Sequence, residues 1–239
     1  METITPSRQS IPEGIGMNQP VRKTIRETRF KIRVREDKLR QELTNAFKKM
    51  VYETCGKKDS ITPSQNLTIA KLANWLSIDC TDGHRWVMMM GGLGNGKTTM
   101  LDATHYLVHW LSTVEGGRYQ KSVNMSYVKL TANELVDMYK DNKSDYNIVK
   151  NTHMVFLDDL GTEPIFRLDY GNQESPIVDF LLYRYNHQLP LVMTSNLPSA
   201  SSKNEPSQFE IRYGKRVRER LNEMCMLVKF EDKSFRGMK

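Results

Sequence analysis

From Arg85 onward the chain alternates short apolar runs with longer stretches of helical periodicity. The runs are WVMMM from Trp86, SYVKL from Ser126, MVFLD from Met154, LVMTS from Leu191 and MLVKF from Met226. Each is long enough for a strand and too short for a helix. Helical patterns fill the intervals, over residues 97–114, 131–141, 175–186 and 209–221. Near-continuous apolar strands interleaved with helices predict a five-stranded parallel sheet sandwiched by helices. The local punctuation agrees: Thr131 and Glu134 form a capping box ahead of the second helix, and Ser175-Pro176 supplies an N-cap and a first-turn proline for the third.

Upstream the pattern is different. Residues 1–20 contain three prolines and read as a flexible tail. Val21 to Tyr52 lacks Pro and Gly, and Leu39, Leu43, Phe47 and Val51 recur every four residues, which predicts a helical segment over 21–58 with one narrow apolar stripe. Residues 59–66, with Ser60, Pro63 and Ser64, read as a linker, after which LTIAKLANWLSI resumes a helical pattern.

Composition bounds the class. With 239 residues, 38% hydrophobic, 26% charged and 9% aromatic, the chain reads as soluble and globular, with room for one core and an appendage. No apolar run approaches the roughly 20 residues of a membrane helix, and no basic-then-apolar leader opens the sequence, so the expectation is a cytoplasmic protein without a membrane partner. Three widely spaced cysteines exclude a disulfide framework and a four-cysteine zinc site. His105 and His109 have a zinc-compatible spacing but no evident third ligand. The net charge of +7 is uneven: residues 21–58 hold 13 Lys/Arg against five acidic residues, and residues 212–239 hold nine against four. Such patches suit either solvated helix faces or contact with a polyanion or an acidic protein surface.

The sharpest chemical signal is Gly91-Gly92-Leu93-Gly94-Asn95-Gly96-Lys97-Thr98, a G-x-x-x-x-G-K-[ST] match that follows an apolar strand and opens a helix. Glycines let the backbone turn its N–H groups inward, and the helix N-terminus adds partial positive charge, so a phosphate chain can be cradled there. Lys97 is expected to reach the β and γ phosphates of ATP. The Thr98 hydroxyl is expected to bind Mg²⁺, with Thr99 the second choice. A carboxylate partner for the metal should stand at the end of a neighbouring strand, and Asp158 closes MVFLD about 60 residues on. Asp159 is then placed to orient or deprotonate the attacking water. Most proteins with this arrangement carry Glu in the second position, so Asp159 leaves the carboxylate one methylene short and predicts slow turnover. Asn196, at the end of LVMTSN, is the candidate contact to the γ-phosphate or its water, with Ser195 the runner-up.

The ordered set GGLGNGKTT, MVFLDDLG, LVMTSNLP and YGKRVRERL, closed by KSFRG, resembles the AAA+ ATPases of the DnaC and IstB group over residues 67–239. The resemblance implies a P-loop AAA+ domain lacking a full C-terminal lid domain. It places a trans-acting arginine finger at Arg220, with Arg216 the second choice, and a γ-phosphate sensor at Arg236. It implies self-association into a ring or spiral, since such a finger must reach a neighbour's nucleotide. It also implies single-stranded DNA in the central channel, contacted here by Tyr139, Lys140 and Lys143 and, on a long loop over 162–174, by Phe166, Arg167 and Tyr170. DnaC-type members load a ring-shaped replicative helicase, gripping it with an N-terminal segment whose place the basic stretch 21–58 occupies. IstB-type members assist a DNA transposase. The loader is the favoured reading and the transposase helper the alternative. A small-molecule P-loop kinase and a non-hydrolysing, ATP-switched adaptor are the rival classes; the acidic pair and late arginines favour water as acceptor over the kinase.

Overall fold

The computed structural model describes residues 32–56, 61–81, 83–113, 126–164, 167–169, 172–198 and 206–230. Chain order runs α1 (Glu36–Cys55), α2 (Pro63–Leu76), β1 (Trp86–Gly91), α3 (Lys97–Ser112), β2 (Tyr127–Thr131), α4 (Ala132–Asp141), α5 (Lys143–Asn151), β3 (Met154–Leu160), β4 (Arg167–Asp169), β5 (Asn172–Glu174), α6 (Pro176–Asn186), β6 (Leu191–Ser195), α7 (Gln208–Tyr213), α8 (Lys215–Met224) and β7 (Cys225–Phe230). Five strands form one sheet in the order β2-β3-β6-β1-β7. All four pairings in it are parallel. The five apolar runs therefore become the five strands, and the fold is the expected helix–sheet–helix sandwich.

Strand alternation divides the core in two. Val87 and Met89 of β1 face the layer of α1, α2 and α3, together with Phe156, Val192 and Val228. Trp86, Met88 and Met90 face the opposite layer of α4 to α8, together with Val155, Leu157 and Met193. Side chains two apart share a face, so one β1 sequence serves both layers.

The upstream stretch departs from the pattern-based expectation in two places. Ile32 and Val34 are buried while Arg33 and Arg35 are exposed, and residues 32–35 are not helical: Ile32 forms a parallel bridge with Ser77, the chain bends at 33 and 34, and Arg35 is extended. Ile32 N–H donates to the Leu76 carbonyl at 2.8 Å, and the helix starts only at Glu36. The second departure is at the stretch read as linker, where α2 begins at Pro63. Thr62 Oγ1 accepts from the Gln65 N–H, Gln65 Oε1 accepts from the Thr62 N–H, and proline occupies the first turn, a complete capping box. The narrow stripe of α1 is filled from within the chain, since Leu39, Leu43 and Phe47 lie in the core with α2 and α3.

Two further differences arise where tertiary packing or glycine decides. The predicted helix over 209–221 is split at Gly214, whose φ of 84° lies in the left-handed region, so α7 and α8 are separate pieces sharing one hinge residue. Within the long loop over 162–174, Arg167–Asp169 pairs antiparallel with Asn172–Glu174 as a short hairpin. The tail over 1–20, the segment 21–31, Phe166, Tyr170 and Arg236 lie outside the described residues.

A buried arginine closes the end of the sheet away from the phosphate loop. Arg184 of α6 is fully buried, and burial pulls its pKa down to about 9, so it remains protonated at neutral pH. It donates to the carbonyls of Thr152 at 2.8 Å, His153 at 3.0 Å and Pro190, tying together the segments that enter β3 and β6. Arg184→Leu leaves these acceptors unsatisfied and is expected to cost about 3–5 kcal/mol. Differential scanning calorimetry should then register a melting temperature lower by roughly 10 °C.

Candidate functional site

The phosphate loop links the C-terminal end of β1 to the first turn of α3. Its shape is held by side chains as well as by glycine. Asn95 is buried; its Nδ2 donates to the Phe230 carbonyl at 2.9 Å, and its Oδ1 accepts from Lys97 Nζ at 3.0 Å. A Cβ on Gly91 would stand 2.4 Å from both Asn95 Nδ2 and the Phe230 oxygen, so glycine is required there by close approach. Gly96, the N-cap of α3, has φ 92°. Lys97 Nζ also donates to the carbonyls of Gly91 at 2.9 Å and Gly92 at 2.6 Å, which folds the ammonium back over the loop. Gly92, Leu93 and Gly94 complete the rim, with Leu93 exposed. Thr99 stands one position beyond Thr98 in the first turn of α3.

Thr98 and Asp158 are brought together across 60 residues, with Thr98 Oγ1 donating to Asp158 Oδ1 at 3.3 Å. The same oxygen accepts from the Thr194 hydroxyl of β6. Asp158 is 4% exposed, and burial raises its pKa above the ordinary carboxylate range, a shift that the neighbouring Asp159 charge reinforces and that the Thr194 hydroxyl, the Lys129 ammonium and the Thr98 hydroxyl only partly oppose. Between Leu157 and Leu160 the β3–β6 register slips by one residue, a bulge in which Asp159 adopts φ 55°. Thr194 Oγ1 accepts the Asp159 N–H at 2.8 Å, and Thr162 closes on the Asp159 carbonyl at 2.9 Å. The Asp159 carboxylate has no hydrogen-bond partner among the described residues. Thr131, opposite Asp158 in the β2–β3 register, caps α4 by accepting from the Glu134 N–H at 3.1 Å.

Of the two polar candidates at the end of β6, Ser195 is fully buried and donates to the Leu160 carbonyl at 2.6 Å, which makes it a brace. Asn196 follows the strand, is half-buried and makes no side-chain hydrogen bond among the described residues. Thr194 was not among the sequence candidates, although its hydroxyl donates to the Asp158 carboxylate and accepts the backbone N–H of Asp159. Its one visible signal is a polar residue inside an apolar strand.

The remaining candidates sit elsewhere. Arg220 lies on α8, in the layer opposite α3. Its guanidinium stacks 4.3 Å from the Tyr185 ring centroid and pairs with Glu223 at 3.3 Å, and Tyr185 O–H donates to the same carboxylate. Arg216 is exposed on the same helix. Tyr139, at the end of α4, packs edge-on against Tyr146 with centroids 4.9 Å apart, and Lys143 Nζ lies 4.9 Å from the Tyr139 ring centroid. Lys140 is exposed beside Asp141. Arg167 is in β4.

These residues suit a magnesium nucleotide. Asp158 is a buried carboxylate contacted by two neutral hydroxyls and acted on by the Lys129 ammonium, a negative charge that a divalent cation would neutralise, and the head of α3 adds positive potential beside Thr98. Among the described residues no cluster of three or more His, Cys, Asp or Glu side chains could hold a metal by itself, so such a cation would take its other ligands from phosphate oxygens and water.

Comparison with solved structures decides the fold class. The crystal structure of the DnaC helicase loader matches 71% of this chain and 92% of its own at 20% identity, with a TM-score of 0.51. The chain has the P-loop AAA+ fold. A candidate primosome component from Streptococcus pyogenes serotype M3 matches 80% of this chain and 98% of its own, again at 20% identity and a TM-score of 0.51. No family model matches the sequence, and no curated protein matches it. Among the described residues no helix is long and apolar enough to cross a membrane.

Proposed function

We propose that this AAA+ chain hydrolyses ATP and uses the cycle to load a ring-shaped replicative helicase onto single-stranded DNA. The observation that carries the ATPase reading is the meeting of the Thr98 hydroxyl and the buried Asp158 carboxylate at the head of α3, beside Lys97. The likeness in fold to a helicase loader supports the choice of task.

The chain's own residues divide the work as follows. The N–H groups of residues 92–98 and the Lys97 ammonium bind the phosphates once Lys97 leaves its loop carbonyls, and Gly91 and Asn95 keep the loop in shape. Thr98 and Asp158 would hold Mg²⁺, whose chemistry there would be to neutralise charge on the phosphate oxygens while water attacks the phosphoanhydride of the substrate ATP. The Asp159 carboxylate takes the proton from that water, oriented through its N–H bond to Thr194. Asn196 and Arg236 contact the terminal phosphate. Arg220 of one copy stabilises the transition-state charge in the next, which requires a head-to-tail ring or spiral. Tyr139, Lys140, Lys143, Phe166, Arg167 and Tyr170 form the surface for single-stranded DNA, where aromatics stack on bases and cations track phosphates.

The helicase contact falls to the N-terminal basic segment. Because the apolar stripe of α1 is already buried, the face available to a partner is polar, with Arg33, Lys38 and Lys48 exposed.

Hydrolysis measured with and without single-stranded DNA, alongside co-purification with a replicative helicase, tests the proposal. The wild-type chain should hydrolyse ATP faster with DNA than without and should retain the helicase. Lys97→Ala should lower hydrolysis by about 10²-fold or more, to background. A wild-type rate indifferent to DNA, or stimulated by a nucleoside instead, would contradict the loader reading.

A further inference from the structure

Glu163 stands four residues beyond Asp159 and belongs to none of the motifs. It is 1% exposed, yet it carries a carboxylate. One oxygen accepts from the Gly161 N–H of its own loop at 2.8 Å. The other accepts from the Tyr213 O–H at 2.6 Å and from Arg212 Nε–H at 3.3 Å, and Arg212 also reaches the Glu163 carbonyl. The loop that follows the candidate catalytic pair is thus bonded to α7 from 49 and 50 residues away. Ser195 Oγ, donating to the Leu160 carbonyl, braces the other side of that loop.

α7 leads directly into the arginine-bearing helix. It ends at Tyr213, Gly214 is the single joint, and α8 begins at Lys215. Val217, Leu221 and Met224 pack α8 into the core, and its N-terminal end is set by α7, whose final two residues Glu163 anchors. The three groups of the node are chemically matched: a buried carboxylate, a guanidinium that is 17% exposed, and a phenol that burial and the adjacent carboxylate keep protonated.

We propose that Glu163 is a positioning residue that ties the loop after Asp158-Asp159 to α7, and so fixes how α8 presents Arg220 to the neighbouring copy's nucleotide. This rests on the reading of Arg220 as a trans-acting residue in an assembled ATPase. It gives each copy a mechanical link between its own hydrolytic carboxylates and the arginine it supplies to the next.

Mixing two defective proteins separates this from a purely local role. Lys97→Ala protomers lack a working nucleotide site but keep an intact arginine helix. Glu163→Gln protomers keep the phosphate loop, Thr98, Asp158 and Asp159. Glu163→Gln alone is expected to bind ATP normally and to lose tenfold or more of DNA-stimulated hydrolysis. Mixed in equal amounts with Lys97→Ala, it should recover to about half the wild-type rate per competent site, because half its neighbours then carry a correctly held arginine. Arg220→Ala, mixed in the same way, should recover equally. Tyr213→Phe removes one hydrogen bond and should show the same pattern with a smaller loss, which keeps the test valid if Glu163→Gln does not fold. Recovery of Arg220→Ala without recovery of Glu163→Gln, or a Tyr213→Phe protein that hydrolyses normally, overturns the inference while leaving the ATPase reading intact. Failure of Arg220→Ala to recover, or an Arg220→Ala protein with wild-type hydrolysis, overturns the trans reading and this inference with it.

Discussion

Arg220→Ala is expected to bind ATP as the wild-type chain does and to hydrolyse it about 10³-fold more slowly in the assembled state. The reason is geometric. Arg220 is on α8, which packs in the layer opposite α3, and its guanidinium is stacked on Tyr185 and paired with Glu223, so it makes its contacts within that layer. On the proposed trans reading, that cation acts when another copy docks its nucleotide against α8. Nucleotide affinity by fluorescence titration and turnover by phosphate release, both measured at concentrations above and below assembly, check this. A loss of binding as large as the loss of turnover would show that Arg220 supports its own protomer's fold instead. Arg216→Ala, the second candidate, is exposed and should have the smaller effect.

Asp158→Asn should move stability and activity in opposite directions. Burial raises the Asp158 pKa, so its ionisation opposes folding: the protonated form's contribution is fully present below the unfolded-state pKa and is lost as pH rises through the higher folded-state value. At neutral pH the unliganded protein therefore carries a desolvated charge, and asparagine keeps an oxygen for the Thr98 and Thr194 hydroxyls without that charge. The variant's melting temperature in magnesium-free buffer is expected to equal or exceed that of wild type by a few degrees at pH 7–8. The difference should shrink as pH falls through the raised folded-state value and vanish near the unfolded carboxylate's ordinary pKa of about 4. Hydrolysis, by contrast, should fall by about 10²-fold or more, since the cation loses its protein anion. A neutral-pH destabilisation of several degrees would mean that the Asp158 charge is compensated in the free protein.

The parts of the molecule that were legible in the sequence share one property: their signals are local. Strands buried on both faces must be apolar almost throughout, so the five runs stood out. The phosphate loop encodes its turn, its glycines and its helix start within eight residues. What was illegible depends on partners distant in the chain. Thr194 acquires its place from Asp158, 36 residues away, and Glu163 from Arg212 and Tyr213, about 50 residues on. A linear reading sees in Glu163 only an acidic residue in a turn. Arg184 is hidden in the same manner among the apolar positions of α6. The non-helical entry over 32–35 does not share the helical period that Leu39, Leu43 and Phe47 set downstream, and α5 carries little apolar signal because only Tyr146 and Val149 are buried in it. Gly214 lay in plain view inside a helical pattern. Its left-handed φ is what turns one predicted helix into an anchored α7 and an arginine-bearing α8.

The central claim, that the loop at the head of α3 is a nucleotide site, is tested most directly by isothermal titration of Mg²⁺·ATP into the full chain and into Lys97→Ala. The expected result is saturable heat with the wild-type protein, reduced on chelating magnesium and abolished by Lys97→Ala. Absence of heat with wild type, or an isotherm unchanged by Lys97→Ala, would contradict it.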